Sequence, residues 1–229
     1  MLNKTIPLVA AAAAVAAAGI YFFGQEPMAT PVTPAAAETS ATSTATATES
    51  TAVSLAPDMI LGNVDAPVTV IEYASFTCPH CANFHKTVFD QFKANYIDSG
   101  KVKFVYREVY FDKFGLWAGM VARCDGPEKY FAVSDMLYDE QRDWLAPNAE
   151  DGIAAELKKI GIKAGMTAEN VEACLKDEAK AKAMVEAYQT NATKDDVTGT
   201  PTFIINGKKA NGEMSYDAFA ELLDAAAGE

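Results

Sequence analysis

Cysteine and histidine are scarce in this sequence, and they are concentrated. Its 229 residues hold four cysteines and two histidines, and both histidines, His80 and His85, lie inside or just after one Cys-x-x-Cys, Cys78-Pro79-His80-Cys81. The chemistry open to such a pair is thiol–disulfide exchange, for which the thiolate is the reactive form. At a junction from strand to helix, the first sulfur sits over backbone N–H groups that have no intrahelical partner, at the positive end of the helix dipole. Both favour the thiolate. Cys81, one turn further in, shares an apolar face with Phe84, Val88 and Phe92 and is expected to be more buried. That asymmetry assigns exchange with substrate to Cys78 and resolution to Cys81. His80 can donate a hydrogen bond or, when protonated, supply charge to the Cys78 sulfur, stabilising the reduced form and making the disulfide a stronger oxidant. His85 reads either as a helix-surface residue or as a group that alters the charge of the site. Two other readings stand beside exchange: a static disulfide, and a zinc or copper site built from Cys78, Cys81, His80 and His85. In the metal reading the ligands would crowd onto one helix end.

The elements that must position these residues follow from periodicity. Val68 to Phe76 is β-branched and mostly apolar, the pattern of a central strand covered on both faces. Pro79 is well placed at the first helical position, where its missing N–H would be unpaired anyway. Lys101 to Val109 predicts a second strand, and Asp58 to Leu61 a short edge strand. A helical region follows over about 114–194. It carries one face at Trp117, Met120, Val121 and Cys124, a second at Ile153, Leu157 and Ile160, and a third at Val171, Cys174 and Leu175. After Gly199-Thr200-Pro201, the run Thr202 to Ile205 meets Asn206-Gly207, a two-residue hairpin signal, and Lys208 to Ala210 returns. Ser215 caps a last helix with Phe219, Leu222 and Leu223 on its apolar face. The result is an α/β sheet interrupted by an all-helical insertion between the second and third core strands. Trp117 and Trp144 read as core.

Val70-Ile71-Glu72-Tyr73-Ala74-Ser75-Phe76-Thr77-Cys78-Pro79-His80-Cys81, with Gly199-Thr200-Pro201-Thr202-Phe203 some 120 residues later, resembles the DsbA-like bacterial periplasmic disulfide oxidoreductases. The resemblance covers about residues 55–227 and implies a thioredoxin-like fold. It implies that Cys78 is the nucleophile and Cys81 its partner in a redox-active disulfide. It makes Glu72 a buried acid that relays the proton of the resolving thiol. It makes Thr200-Pro201 a cis peptide facing the disulfide, in a loop that pairs with an extended substrate. It implies exported proteins with free cysteines as substrates and a quinone-linked membrane protein as reoxidase, with no metal or cofactor. Where the family's type member has glutamate four residues after the second cysteine, this chain has His85, so the charge around the site differs. An isomerase or reductase on the same fold is the neighbouring alternative. Isomerases of the superfamily carry an N-terminal dimerisation domain, whereas a low-complexity stretch stands here, so a monomeric oxidase is expected.

The remaining chain bears on location. Lys4 precedes an apolar run from Thr5 to Phe23 that ends in Tyr21-Phe22-Phe23. Residues 1–24 therefore read as a membrane anchor, with a cleaved signal as the alternative. Residues 25–53 fall to Ala, Thr, Ser and Pro, a disordered tether, and 54–229 form the domain. The expected location is periplasmic, tethered to the inner membrane by residues 5–23. Of the net charge of −12, residues 1–53 supply two units (Glu26, Glu38 and Glu49 against Lys4), so the domain is strongly acidic. With no basic stripe, nucleic acid is not an expected partner. Cys124 and Cys174 lie on apolar faces of two predicted helices. Outside the cytoplasm such thiols are expected to join as a structural disulfide, with two buried free thiols or a second redox couple as alternatives.

Overall fold

The computed structural model describes residues 56–228, so the expected anchor and tether lie outside the described residues. Among those described, no helix is long and apolar enough to cross a membrane.

A five-stranded mixed sheet organises the domain in the order β1-β3-β2-β4-β5. Its strands are β1 (Met59–Leu61), β2 (Val68–Ala74), β3 (Val102–Glu108), β4 (Thr202–Ile205) and β5 (Lys208–Asn211). β2 and β3 run parallel, with Val70 opposite Phe104 and Glu72 opposite Tyr106; β4 pairs antiparallel on the other side of β2, with Phe203 opposite Glu72. Glu72 therefore stands mid-strand at the centre of the sheet, between two aromatic neighbours. β2 ends at Ala74, two residues earlier than its apolar run, because the chain turns there: the Cys78 N–H bonds the Ser75 carbonyl.

Helix α1 occupies residues 79–97 between the parallel strands and contains two π-type turns, His85–Phe89 and Lys93–Ile97. Cys81, Phe84, Val88 and Phe92 are all buried along it. The insertion between β3 and β4 consists of α2 (Lys113–Ala122), α3 (Pro127–Asp139), α4 (Gln141–Leu145), α5 (Glu150–Lys163), α6 (Ala168–Leu175) and α7 (Glu178–Lys194). Met120 and Val121 are buried, whereas Trp117 is only half-buried. Helix α2 ends at Ala122, so Cys124 lies past its last turn. Trp144 is core, its indole N–H held by the Leu137 carbonyl at 2.8 Å.

The β4–β5 hairpin turns at Asn206 and Gly207, both at positive φ (45° and 80°), the conformation a two-residue hairpin needs. Helix α8 (Tyr216–Ala227) starts at Ser215, whose hydroxyl accepts from the Ala218 N–H. Phe219 and Leu223 enter the core, but Leu222 stays 41% exposed. The buried stripe on α8 is narrow, following the i, i+4 row, and Leu222 falls on its flank. Phe84, Phe92, Phe104, Tyr106, Phe203 and Phe219 fill the space around β2 and α1.

Candidate active site

The loop from Ala74 to Cys78 is fixed from several directions before any sulfur chemistry begins. The Gln141 side-chain amide donates to the carbonyls of Phe76 and Cys78 at 2.8 and 3.0 Å, and the Thr77 hydroxyl donates to Asp112 at 2.9 Å. Cys78 is the N-cap residue of α1, with extended backbone (φ −81°, ψ 121°), and Pro79 opens the helix. Both Cys78 and Cys81 are free thiols, so this is the dithiol form.

The two sulfurs have opposite environments. The Cys78 thiol is lowered from 9.0 to about 5. A hydrogen bond from Cys81 is the largest cause; burial opposes it, and the Thr200 side chain and the backbone N–H groups of Cys81 and His80 assist. Cys81 is fully buried, and burial first, then its bond to Cys78 and the charge of Glu72, push its thiol far up. The Cys78 thiol lies 3.5 Å from the Thr200 carbonyl, and the Thr200–Pro201 peptide that follows is cis.

His80 does not direct its ring hydrogen bond to Cys78. Nδ1 lies 2.9 Å from Glu213 Oε2, the ring is 67% exposed, and the Asn83 amide bonds the other oxygen of Glu213. The contact with Glu213, then the charge of Cys78, raises His80 above its ordinary value. The residue thus reaches Cys78 through its backbone N–H and through charge at a distance. Glu213 has no motif to betray it: it lies 133 residues from His80, in the loop between β5 and α8.

Glu72 and His85 face each other beneath the helix. Glu72 is fully buried and His85 is 8% exposed, which overturns the surface reading of His85. Glu72 Oε2 lies 3.2 Å from His85 Nε2. The imidazole stacks on Tyr138 and Phe89 with centroids 4.1 and 4.6 Å apart. A signal for this was present, because position 85 is four residues from Cys81 and belongs to the stripe of Phe84 and Val88. With His80 turned to Glu213 and His85 to Glu72, the four side chains of the metal reading do not converge. Among the described residues no group of three or more His, Cys, Asp or Glu is placed to hold an ion. Far from the motif in sequence, Cys124 and Cys174 are joined by a disulfide.

A family model described as thioredoxin matches residues 54–225. A putative protein-disulfide oxidoreductase of Rickettsia bellii is 32% identical over 173 residues, 75% of this chain and 65% of that protein. The disulfide bond formation protein D of Bacillus subtilis is 28% identical, covering 72% of this chain and 75% of its own length. The chain spans just under two thirds of the length of the Rickettsia relatives. Among solved structures, alpha-DsbA1 of Wolbachia pipientis superposes with a TM-score of 0.68 at 28% identity, over 76% of this chain and 94% of that one. Oxidised BdbD of Bacillus subtilis gives 0.67 at 25% identity, over 75% and 94%.

Proposed function

The chain belongs to the thioredoxin family, and from that premise we propose that it is a DsbA-like protein-disulfide oxidoreductase that donates a disulfide to exported proteins through Cys78 and Cys81. The observation that carries the reading is the asymmetry of the two sulfurs: Cys78 is the N-cap residue of α1, beside the Thr200 carbonyl, with its thiol lowered to about 5, whereas Cys81 is fully buried one turn further in and its thiol is pushed up.

In the donating direction, a substrate thiolate attacks Cys78 Sγ of the Cys78–Cys81 disulfide. The S–S bond breaks, its electron pair goes to the Cys81 sulfur, and that sulfur takes up a proton. A second substrate thiol, having lost its proton to solvent, then attacks the substrate sulfur of the mixed disulfide, and Cys78 leaves as a thiolate. The substrate loses two electrons and the enzyme gains them. A leaving thiol of low pKa leaves faster, and stabilising it in the reduced form raises the oxidising power of the disulfide. Glu72, whose charge acts on Cys81, handles the proton of that sulfur, which is closed off from bulk solvent. The loop carrying Thr200 and Pro201 lies against Cys78 and offers backbone groups to an extended substrate in the manner of an added strand.

Residues 1–24 are read as a membrane anchor and 25–53 as a tether on the strength of their sequence, and with them goes a site of work outside the cytoplasmic membrane, where exported chains bring free cysteines and a quinone-linked membrane protein restores the disulfide. Fractionation of cells expressing the full chain tests the tethering: the protein should sediment with membranes and resist a salt wash. The activity is tested by equilibrating Cys78–Cys81 with glutathione. On the scale where DsbA stands at about −120 mV and thioredoxin at about −270 mV, a value near the first supports the oxidase and one near the second assigns a reductase.

A further inference from the structure

Among the described residues, the buried side-chain atoms without a hydrogen-bond partner are Glu72 Oε1 and His85 Nδ1. They belong to one pair, joined through the opposite atom of each group. A buried polar atom left unmatched is destabilising, so two in one contact, inside an aromatic core, are not explained by stability. The titratable groups around the imidazole come from three elements: Glu72 on β2, Tyr106 on β3, and Tyr138 and Asp135 on α3; Cys81 lies one turn earlier on the helix that carries His85. Tyr106 and Tyr138 are occupied with each other through their hydroxyls. Of the carboxylates, Glu72 is the one that bonds the imidazole and whose charge acts on Cys81, so the capacity to take or give a proton beside Cys81 rests with Glu72 and His85.

We propose that His85 is a positioning and proton-storing residue: it holds one proton jointly with Glu72 across the Oε2–Nε2 contact while Cys78–Cys81 is a disulfide, and the pair delivers that proton to Cys81 as its sulfur leaves. The inference rests on the oxidoreductase reading and deepens it. The balance is simple. The incoming substrate thiolate brings one negative charge, the Cys81 sulfur receives the electron pair of the broken S–S bond, and the proton moves from the pair to that sulfur. A carboxylate beside a neutral imidazole remains. When Cys81 attacks a mixed disulfide in the reverse direction, its proton returns to the pair. An imidazole stacked between Tyr138 and Phe89 is fixed in orientation, so the carboxylate it meets is fixed too. The charge of Glu72 already reaches Cys81 in the dithiol form.

The chain's two histidines make the test direct. Protein without a histidine tag, carrying ring-labelled histidine, is titrated by NMR between about pH 4 and 9 in the oxidised and reduced forms, with His80→Val assigning the signals. The His85 ring should respond to pH differently in the two redox states, because Cys81 takes the shared proton in one of them. In parallel, resolution of a Cys78–glutathione mixed disulfide is followed in His85→Gln, which keeps a hydrogen bond to Glu72 but cannot ionise. The rate at neutral pH should fall roughly tenfold, less than the hundredfold or more that a principal acid–base group contributes because Glu72 remains, and its pH profile should flatten while the Cys78 thiolate titrates as before. Identical NMR titrations in both redox states overturn the proposal, as does a His85→Gln profile that superimposes on the parent. If the variant does not fold, the titration of the parent protein decides alone. Failure of the parent to exchange with glutathione at all would instead overturn the oxidoreductase reading, and this inference with it.

Discussion

Cys78 and Cys81 are three residues apart, yet one thiol is lowered to about 5 and the other is driven upward by burial. The difference makes stability depend on both redox state and pH. A thiol whose folded value is depressed binds fewer protons in the folded than in the unfolded chain between the two values. Its stabilising effect is absent below about pH 5, grows from there, and is complete above the ordinary value of 9.0. Cys81 acts in the opposite sense, but only above that ordinary value, where the unfolded thiol ionises and the buried one does not. His80, raised by Glu213 and by the Cys78 charge, contributes stability at low pH that fades as pH rises through its folded value, a partial offset. The melting temperature of the reduced protein should therefore climb relative to the oxidised protein from about pH 5 to pH 9. A difference that stays flat across this window, measured by calorimetry on both forms, would mean that no buried thiolate is present. His80→Val supplies a finer test. Because the ring spends its hydrogen bond on Glu213 and the backbone N–H stays, the variant should raise the Cys78 value by only about one unit or less. One unit is worth about 1.4 kcal/mol, or roughly 30 mV in a two-electron couple. Thiolate absorbance and the glutathione equilibrium, read on the same sample, should move together; a fall in potential with no change in the titration would place the effect of His80 in the oxidised form.

The elements nearest the motif were the most legible in the sequence. A covered strand reads as a continuous β-branched run, and Pro79 marks where a helix begins, so β2 and α1 could be placed from residue type alone. Asn206-Gly207 gave the hairpin for an equally local reason, a turn that needs positive φ twice. What stayed hidden depended on contacts between distant segments. Glu213 and Gln141 bind the motif from other loops and helices and carry no pattern of their own. Leu222 fell on the flank of α8 because an apolar residue at helical spacing does not reveal how wide the buried stripe is. His85 is a different case: its spacing placed it on the buried stripe, and only its polarity suggested a surface. One contact between elements deserves mutation. Asp112 caps α2 by accepting from the N–H groups of Phe114 and Gly115 at 2.8 and 2.9 Å, and its other oxygen takes the Thr77 hydroxyl beside the motif. Asp112→Ala should cost about 1–2 kcal/mol in urea denaturation, the range for a lost helix cap with its side-chain bonds. The Cys78 titration should be unaltered, because Asp112 is not among the groups that shift it. A displaced titration would show that the Thr77 contact sets the sulfur's position and does not merely steady the loop.

At the scale of the whole domain, two demands have to be met by one chain: a rigid sheet that presents Cys78, and six helices inserted between β3 and β4 that must return the chain beside β2 in register. The core runs through both, from Phe84, Phe104 and Phe203 on the sheet side to Tyr130, Leu137, Ile153, Leu157 and Val171 in the insertion. Buried charge joins them too, since Arg123, just after α2, makes a two-pronged ion pair with Glu108 at the end of β3, and Tyr130 of α3 donates to the same carboxylate at 2.8 Å. The Cys124–Cys174 disulfide adds a covalent tie within the insertion, from the end of α2 to α6, across a sequence separation of 50. Because the core is continuous, the tie is not needed to hold two separate bodies together. Its effect should come mainly from the unfolded chain, where closing a loop of that length removes conformational freedom worth on the order of 4 kcal/mol in the chain-entropy model. Cys124→Ser combined with Cys174→Ser should therefore lower the unfolding free energy by a few kcal/mol. It should also steepen the denaturant dependence, since the unlinked chain exposes more surface on unfolding. The glutathione equilibrium of Cys78–Cys81 should stay where it was, because neither Cys124 nor Cys174 is among the groups that shift the two active-site thiols. Urea unfolding followed by tryptophan emission, together with the redox equilibrium of the same double variant, separates these expectations. A lowered stability with an unmoved potential fits a purely structural tie. A shifted potential would mean that the insertion transmits strain to α1, and the two disulfides would then have to be treated as one coupled system.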